Sequence, residues 1–363
     1  MIGRRRYPAR PERTGAARRR GALACAACLV AVAALALPAG AGASGFAPKK
    51  GKAFHGVSDT GNIVQYRKFA NDVRSHPAVL EAFHYWSLHL SKALDRWDDA
   101  DARGVLSVTT RKDTGGEVIT PWGIAHGKGD NYPLRLNKEI NHSNQKVYIR
   151  LMSEMNNSAN LYSAYDRGGH FRGHRHSQGQ FIQAFRRFSL IVKGGDTSKI
   201  NKRLRHLHMP KIKGDYNGGK LPAHIPRAKV AMMWVPHSSP TPNIAGQSPG
   251  RYWPGKRYVD WTGADIFSRD PNWGVLKGIY RHFARKPFVV GEYGLSAGDN
   301  PGFINKLFGW SKRNKRSRML IYYQGFAKND PYRIWHYPRA KAALRHILQS
   351  KRFVKFPAGT RGH

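Results

Sequence analysis

Hydrophobic positions along the chain alternate between two patterns. Short apolar runs cover 53–57, 82–86, 104–109, 147–152, 230–235, 259–266, 287–291 and 319–323. Between them lie stretches with apolar residues at helical spacing, as in 181–191 and at Val275, Leu276, Ile279, Tyr280 and Phe283. Pro338 stands where the first turn of a last helix, 339–348, begins. Strands alternating with helices predict an α/β protein with a parallel sheet. Eight strands is the number a closed (β/α)8 TIM barrel requires. No internal repeat or second-domain linker interrupts the pattern, so a single barrel domain over 53–350 is expected.

Long Gly/Pro/His-rich inserts, 110–138, 156–180 and 237–255, follow the third, fourth and fifth strands. Those positions correspond to the C-terminal face of a barrel, where catalytic groups project from strand ends. Two apolar runs deliver a carboxylate there. One is Val147-Tyr-Ile-Arg-Leu-Met-Ser-Glu154, continuing Met-Asn-Asn157. The other is Lys286-Pro-Phe-Val-Val-Gly-Glu292, continuing Tyr-Gly294. Strands four and seven lie across the mouth from each other, so Glu154 and Glu292 are expected to face. Two facing carboxyls are the machinery of glycoside hydrolysis: one protonates the leaving oxygen, and in retaining enzymes the other attacks the anomeric carbon. Arg150 shares the inward pleat face and would hold a carboxylate charged.

The first residues read as a targeting segment rather than as fold. Arginines at 4–6 and 18–20 precede an apolar run from about 22 to 37, then Pro38 and the small-residue pattern Ala41-Gly-Ala43. This is the pattern of a secretory signal peptide cleaved after Ala43. Both cysteines, Cys25 and Cys28, fall inside it, so the remainder has no disulfide and no thiolate site. Residues 44–52 are expected to be a flexible lead-in and 351–363 a basic C-terminal tail. The chain carries 62 Lys and Arg against 22 Asp and Glu, a formal charge of +40. Such a field favours anionic partners: an acidic polysaccharide, a bacterial wall or nucleic acid. The densest basic run, 312–318, reads as a solvated loop.

The segments around the two glutamates resemble glycoside hydrolase family 26, a barrel family that includes β-mannanases. Arg150-Leu-Met-Ser-Glu154-Met-Asn-Asn157 resembles the family's acid/base segment, Arg-x-x-His-Glu-x-Asn-Gly. Lys286-Pro-x-x-x-x-Glu292-x-Gly294 resembles its nucleophile segment. Tyr252-Trp-Pro-Gly255, Tyr258-Val-Asp-Trp-Thr-Gly-Ala-Asp265 and Trp234-Val-Pro236 match further family patterns, in order, between residues 53 and 350. The resemblance implies Glu154 as acid/base and Glu292 as nucleophile. The chain departs from the family at Ser153, where a histidine is usual. It departs again at Phe267, where a tyrosine usually donates to the nucleophile, and in the segment 158–163 after the acid/base. Mannan itself is therefore not implied.

Arg150, Asn157, Tyr162, Trp234, Trp253 and Asp265 are the candidate substrate-binding residues. Trp234, Trp253, Trp122 and Tyr162 would stack on sugar faces, whereas mid-strand Trp261 reads as core. Asp260 and Asp265, both on the sixth strand, would assist the site or order loops. His170, His174 and His176, flanked by Arg172 and Arg175, read as a basic loop rather than a metal site. No metal and no cofactor is expected, and no obligate protein partner. The function expected is a secreted retaining glycosidase acting on β-linked polysaccharide, mannan-like or acidic. A polysaccharide- or wall-binding barrel with impaired catalysis, or a basic wall- or nucleic-acid-binding protein, are the alternatives.

Overall fold

A computed structural model describes residues 45–355 apart from 59, 217, 284 and 327–329. The expected leader and residues 356–363 lie outside the described residues. Eight strands close into a parallel barrel. They are β1 (Phe54–Ser58), β2 (Val79–His84), β3 (Arg103–Val108), β4 (Val147–Leu151), β5 (Val230–Trp234), β6 (Trp261–Phe267), β7 (Phe288–Gly294) and β8 (Ser317–Tyr322). Neighbours follow chain order, and β1 closes on β8 with Phe54 opposite Met319 and Val57 opposite Tyr322. All eight expected runs form barrel strands. The largest displacement is β2, which begins at Val79 and ends at His84, because Tyr85 and Trp86 already belong to the loop above it.

Helices α1 (Ile63–Val73), α2 (Ser91–Asp99), α3 (Pro121–Ala125), α4 (Asn131–Ser143), α5 (Gln178–Lys193), α6 (Thr197–His206), α7 (Trp273–His282), α8 (Pro301–Arg313) and α9 (Pro338–Leu348) surround the barrel. Side-chain oxygens of Asn62, Ser177, Asp196, Asn272 and Asn300 cap their first turns. Among the described residues no helix is long and apolar enough to cross a membrane.

The period of two along each strand sorts its side chains into two cores. On β5, Val230, Met232 and Trp234 face the helices, while Ala231, Met233 and then Val235 face the lumen. The lower lumen is apolar, filled by Phe54, Val105, Tyr148, Met233, Trp261 and Met319. Residues 45–52 are not a loose lead-in. Phe46 is buried against this lower lumen, its ring 5.2 Å from Tyr148 at 81°, and its carbonyl accepts from the Tyr148 hydroxyl. Nor does the domain stop at 350: Phe353 is buried and pairs in a bridge with Ala53. The basic run 312–318 is less solvated than expected. Arg316 donates to Lys286 O at 3.0 Å, and Arg318 donates to Lys49 O and Lys52 O at 2.9 and 3.0 Å. Both tie loops at the N-terminal ends of the strands, away from the mouth.

Candidate active site

The upper lumen is polar. Glu81 on β2, Ser107 on β3, Arg150 on β4, Asp265 on β6 and Glu292 on β7 meet there, all buried. Arg150 organises them. Its Nη1 donates to Glu81, to Glu292 Oε1 at 2.9 Å and to Gly291 O at 3.3 Å, and its Nη2 donates to Asp265 Oδ2 at 2.6 Å. The other oxygen of Asp265 accepts from the Glu292 backbone N–H at 2.5 Å. Asp265 thus clamps both the guanidinium and the backbone that presents Glu292. Glycine is required at 291. A Cβ there would lie 2.6 Å from Asp265 Oδ1, 2.7 Å from Val235 Cγ1 and 3.1 Å from Arg150 Cζ.

Glu154 reaches the same point from the far side. Past the end of β4, Met152 and Glu154 both adopt positive φ, 49° and 50°, a region costly for side-chain-bearing residues and held only where the surroundings impose it. The impositions are visible. Glu154 N donates to Val235 O at 2.9 Å, its carbonyl accepts from Asn160 Nδ2 at 3.0 Å, and the Tyr162 hydroxyl donates to Ser153 O at 2.6 Å. Asn156 exchanges two hydrogen bonds with the backbone of His237, 2.9 and 2.8 Å, locking this loop to the one after β5. The Glu154 carboxylate accepts from Asn157 Nδ2 at 3.0 Å and has His237 Nε2 3.6 Å away. His237 Nδ1 lies 2.7 Å from Ser239 O and 3.0 Å from Ser239 N, contacts that anchor the ring to its own loop. The imidazole stacks on Phe267, centroids 5.8 Å apart at 13°.

One oxygen each of Glu154, Asp265 and Glu292 lie within 4.8 Å of one another. That spacing would suit a cation, but the Asp265 and Glu292 oxygens already face the guanidinium of Arg150. One arginine serves three buried carboxylates, with Glu154 nearby. Burial foremost, opposed by Arg150 and reinforced by repulsion from Glu81 and Glu154, holds the Glu292 carboxyl well above the usual range. Burial likewise raises Asp265 and Glu81. Glu292 is the one with water access: its side chain is 10% exposed against 0% for the other two. Its ionisation therefore costs the least desolvation of the three.

The expected pair, Glu154 and Glu292, is brought together at the mouth. Asn157 holds Glu154, and Tyr162 lines the cleft while bracing the loop. Five other expectations are corrected. Arg150 and Asp265 are fully buried beneath the carboxylates, so they position them and do not touch substrate. Trp234 is no sugar platform. It faces the helices, wholly buried, its Nε1 donating to Tyr252 O at 3.0 Å, against the rings of Trp253 and Phe283 at 4.9 Å each. Trp253 packs in the same outer cluster. Position 234 ends its strand on the outward parity, which the Trp-x-Pro pattern alone does not reveal. Asp260 is far from the chemistry; it binds Lys193 at 2.5 Å and the Met232 N–H at 2.8 Å. The histidines of 170–176 disperse to Asp166, Gln180 and Glu117. Two residues escaped the sequence reading, Glu81 and His237. Glu81 carries a signal: a lone acid at an otherwise apolar strand, Val79-Leu-Glu-Ala-Phe83. His237 carries only its place directly after Trp234-Val-Pro236.

The cleft above the carboxylates has a volume of about 460 Å³. Its lining includes Glu154, Glu292, Tyr323, Phe326, Phe83, Ser153, His84, Tyr85, Arg96 and Arg111.

No protein-family model matches the chain, and no curated protein sequence does. Solved structures do. The Bacillus subtilis mannanase BCman superposes with a TM-score of 0.54 at 15% identity, over 86% of this chain and 91% of that one. The Bacillus subtilis mannanase man26 gives 0.53 at 13%, over 86% and 91%. A modular endo-β-1,4-mannanase from Cellulomonas fimi, a glycoside hydrolase family 26 mannanase, gives 0.51 at 13%, over 84% and 72%. The fold is that of the family 26 mannanases. At such identities the likeness concerns the barrel and its full length; roles for individual residues rest on the geometry above.

Proposed function

We propose that the protein is an exported retaining glycoside hydrolase acting on a β-linked polysaccharide. The observation carrying this reading is the approach of the Glu154 and Glu292 oxygens to within 4.8 Å across an open cleft. Retaining enzymes hold their carboxyls at roughly 5–5.5 Å, whereas inverting enzymes need about 6.5–9.5 Å to admit a water. Glu292 attacks the anomeric carbon, and Glu154 protonates the departing oxygen. Glu154 then deprotonates the water that releases the sugar. Arg150 stabilises the ionised nucleophile, and Asn157 and His237 orient the acid. The family 26 mannanase fold supports a polysaccharide as substrate. Export rests on the leader pattern of residues 1–43.

The test is a screen of β-glycans with the product anomer followed by NMR. Retention is expected. Glu292→Ala should lose turnover on an activated aryl glycoside and recover part of it with azide, giving a glycosyl azide of inverted anomer. Glu154→Gln should abolish cleavage of natural linkages but spare the first step on aryl glycosides, whose leaving groups need little protonation. An inverted hydrolysis product, or a Glu292→Ala variant with undiminished activity, would overturn the mechanism. For export, mass spectrometry of the protein from culture medium should find an N-terminus at Ser44; an intact leader there, or no protein in the medium, would refute it.

A further inference from the structure

The cleft is not electrically uniform. At one end stand the two carboxylates. At the other, the rim built by the loops after β2 and β3 presents Arg111, with Arg96 also lining the wall. Arg111 opens a two-stranded antiparallel ribbon, Arg111–Lys112 against Gly115–Glu117. The acid opposite it in register is already engaged: Glu117 Oε1 accepts from Thr110 at 3.1 Å, and Oε2 lies 2.7 Å from His176 Nε2. No ion pair forms between Arg111 and Glu117, so a half-buried guanidinium faces the cleft with its donors unspent. His84 lines the same cleft. Its ring is buried, its Nδ1 has no partner, and burial together with Arg96 and Arg135 pushes its pKa down to about 4. A neutral imidazole beside cations leaves that end of the cleft positive without a competing proton. Exposed Tyr85 and Phe326 and the ring of Phe83 also line the cleft, supplying stacking faces for sugar rings.

Positive character continues beyond the ribbon. A second hollow of about 400 Å³ contains Trp122, with Lys128 and Arg175 over its ring at 5.0 and 5.4 Å. Trp86 lines this hollow, and its backbone N–H donates to Arg111 O at 2.9 Å, which ties the start of the ribbon to it. A neutral glycan offers a guanidinium only single, uncharged hydroxyl acceptors; a carboxylate or phosphate accepts from it in the stronger, planar, two-point geometry arginine favours.

We propose that the polysaccharide bound here is anionic. The sugar lying toward the β2–β3 rim carries a carboxylate or a phosphate that Arg111 receives, while the sugar at Glu292 is cleaved. This rests on the glycosidase reading for the second half of the statement only; recognition by Arg111 is a binding claim that stands without turnover.

The probes are three β-1,4-linked hexamers of one sugar configuration: mannohexaose, hexamannuronic acid, and mannohexaose phosphorylated at the 6-positions. Binding is measured by calorimetry to the Glu292→Gln variant of the full chain at physiological salt. At least one acidic hexamer should bind about 10-fold or more tighter than the neutral one, the scale of a hydrogen bond to a charged group. Which acid is preferred identifies carboxylate or phosphate as the source. Arg111→Gln should remove that preference and Arg111→Lys retain part of it. Lys112→Gln, on the exposed neighbouring position, should leave it intact. Circular dichroism of each variant guards against misfolding. Equal or no binding of neutral and acidic hexamers overturns the proposal. So does a preference that survives Arg111→Gln or falls equally in Lys112→Gln, because dispersed surface charge would then be responsible. Preference without cleavage by the unmodified protein would sink the hydrolase reading and keep this one.

Discussion

Single residues at this site are governed by a shortage of positive charge. Glu81, Asp265 and Glu292 all compete for Arg150. Glu81 never reaches substrate, being fully buried at the base of the cleft, yet its negative charge is one of the causes raising the Glu292 carboxyl. Replacing it with glutamine removes that repulsion and keeps the shape. A raised pKa means that Glu292 loses its charge while pH is still above the usual carboxylate range, so the acidic limb of the kcat/KM profile of the unmodified enzyme should lie above that range. In Glu81→Gln the repulsion is gone, the Glu292 pKa falls, and the limb should move to lower pH. A limb unchanged in position would mean that Glu292 is not the group titrating. Two residues of the site, Glu81 and His237, were not easy to read in the sequence. The acid at 81 appears as one polar residue in an apolar strand, and only closure of the barrel brings β2 to Arg150. His237 had no period to betray it, because it sits one residue past a proline in an insert.

At the level of elements, the strand ends were legible and the direction of their side chains was not always so. The Glu154 and Glu292 segments end runs whose apolar pattern and Gly/Asn-rich sequel mark the top of a barrel strand. Arg150 could be placed in the lumen because the alternation puts it on one pleat face with Met152 and Glu154. Trp234 shows where this reading stops. Its strand is apolar on both faces, as parallel strands are, so alternation gives no sign of which parity points inward, and the indole lies among helices. Phe46 likewise belongs to a Gly/Lys/Pro-rich stretch with no periodicity, and only the open lower end of the barrel gives it a place. The strands also carry the tolerance of the site. On β7, Gly291 lets Asp265 and Arg150 pack directly against backbone. Gly291→Ala inserts a methyl into occupied space, which should cost about 1–3 kcal/mol of stability by overpacking. The clamp on the Glu292 N–H would shift as well. Displacements on the order of 1 Å lower rates by about 100-fold, so kcat should fall far more than the loss of stability explains. Urea denaturation and kinetics at saturating substrate measure the two separately; a variant that is destabilised but fully active would detach Asp265 from the positioning of Glu292.

For the whole molecule, the net charge of +40 poses a question that the cleft only partly answers. Among the described residues most arginines and lysines are spread over the surface, and several are spent on structure: Arg316 and Arg318 close loops at the bottom of the barrel, and Arg187 forms a buried pair with Asp130 at 2.5 Å. The rest act as a field. Exposed charges are screened beyond about 8 Å at physiological ionic strength, whereas groups partly withdrawn from water are screened much less. Two contributions to binding an acidic polymer should therefore separate with salt. Long polymannuronate, measured by co-sedimentation, should bind tightly at low salt through the dispersed field and lose most of that advantage well before molar salt. The preference for an acidic hexamer over its neutral counterpart depends on a half-buried arginine within a cleft, and should decline much less over the same range. If both fall in parallel, the charge acts only as a diffuse attraction that holds the protein near anionic material. If the polymer resists salt as well, its hold owes more to aromatic and hydrogen-bonding contacts along the cleft than to the positive surface.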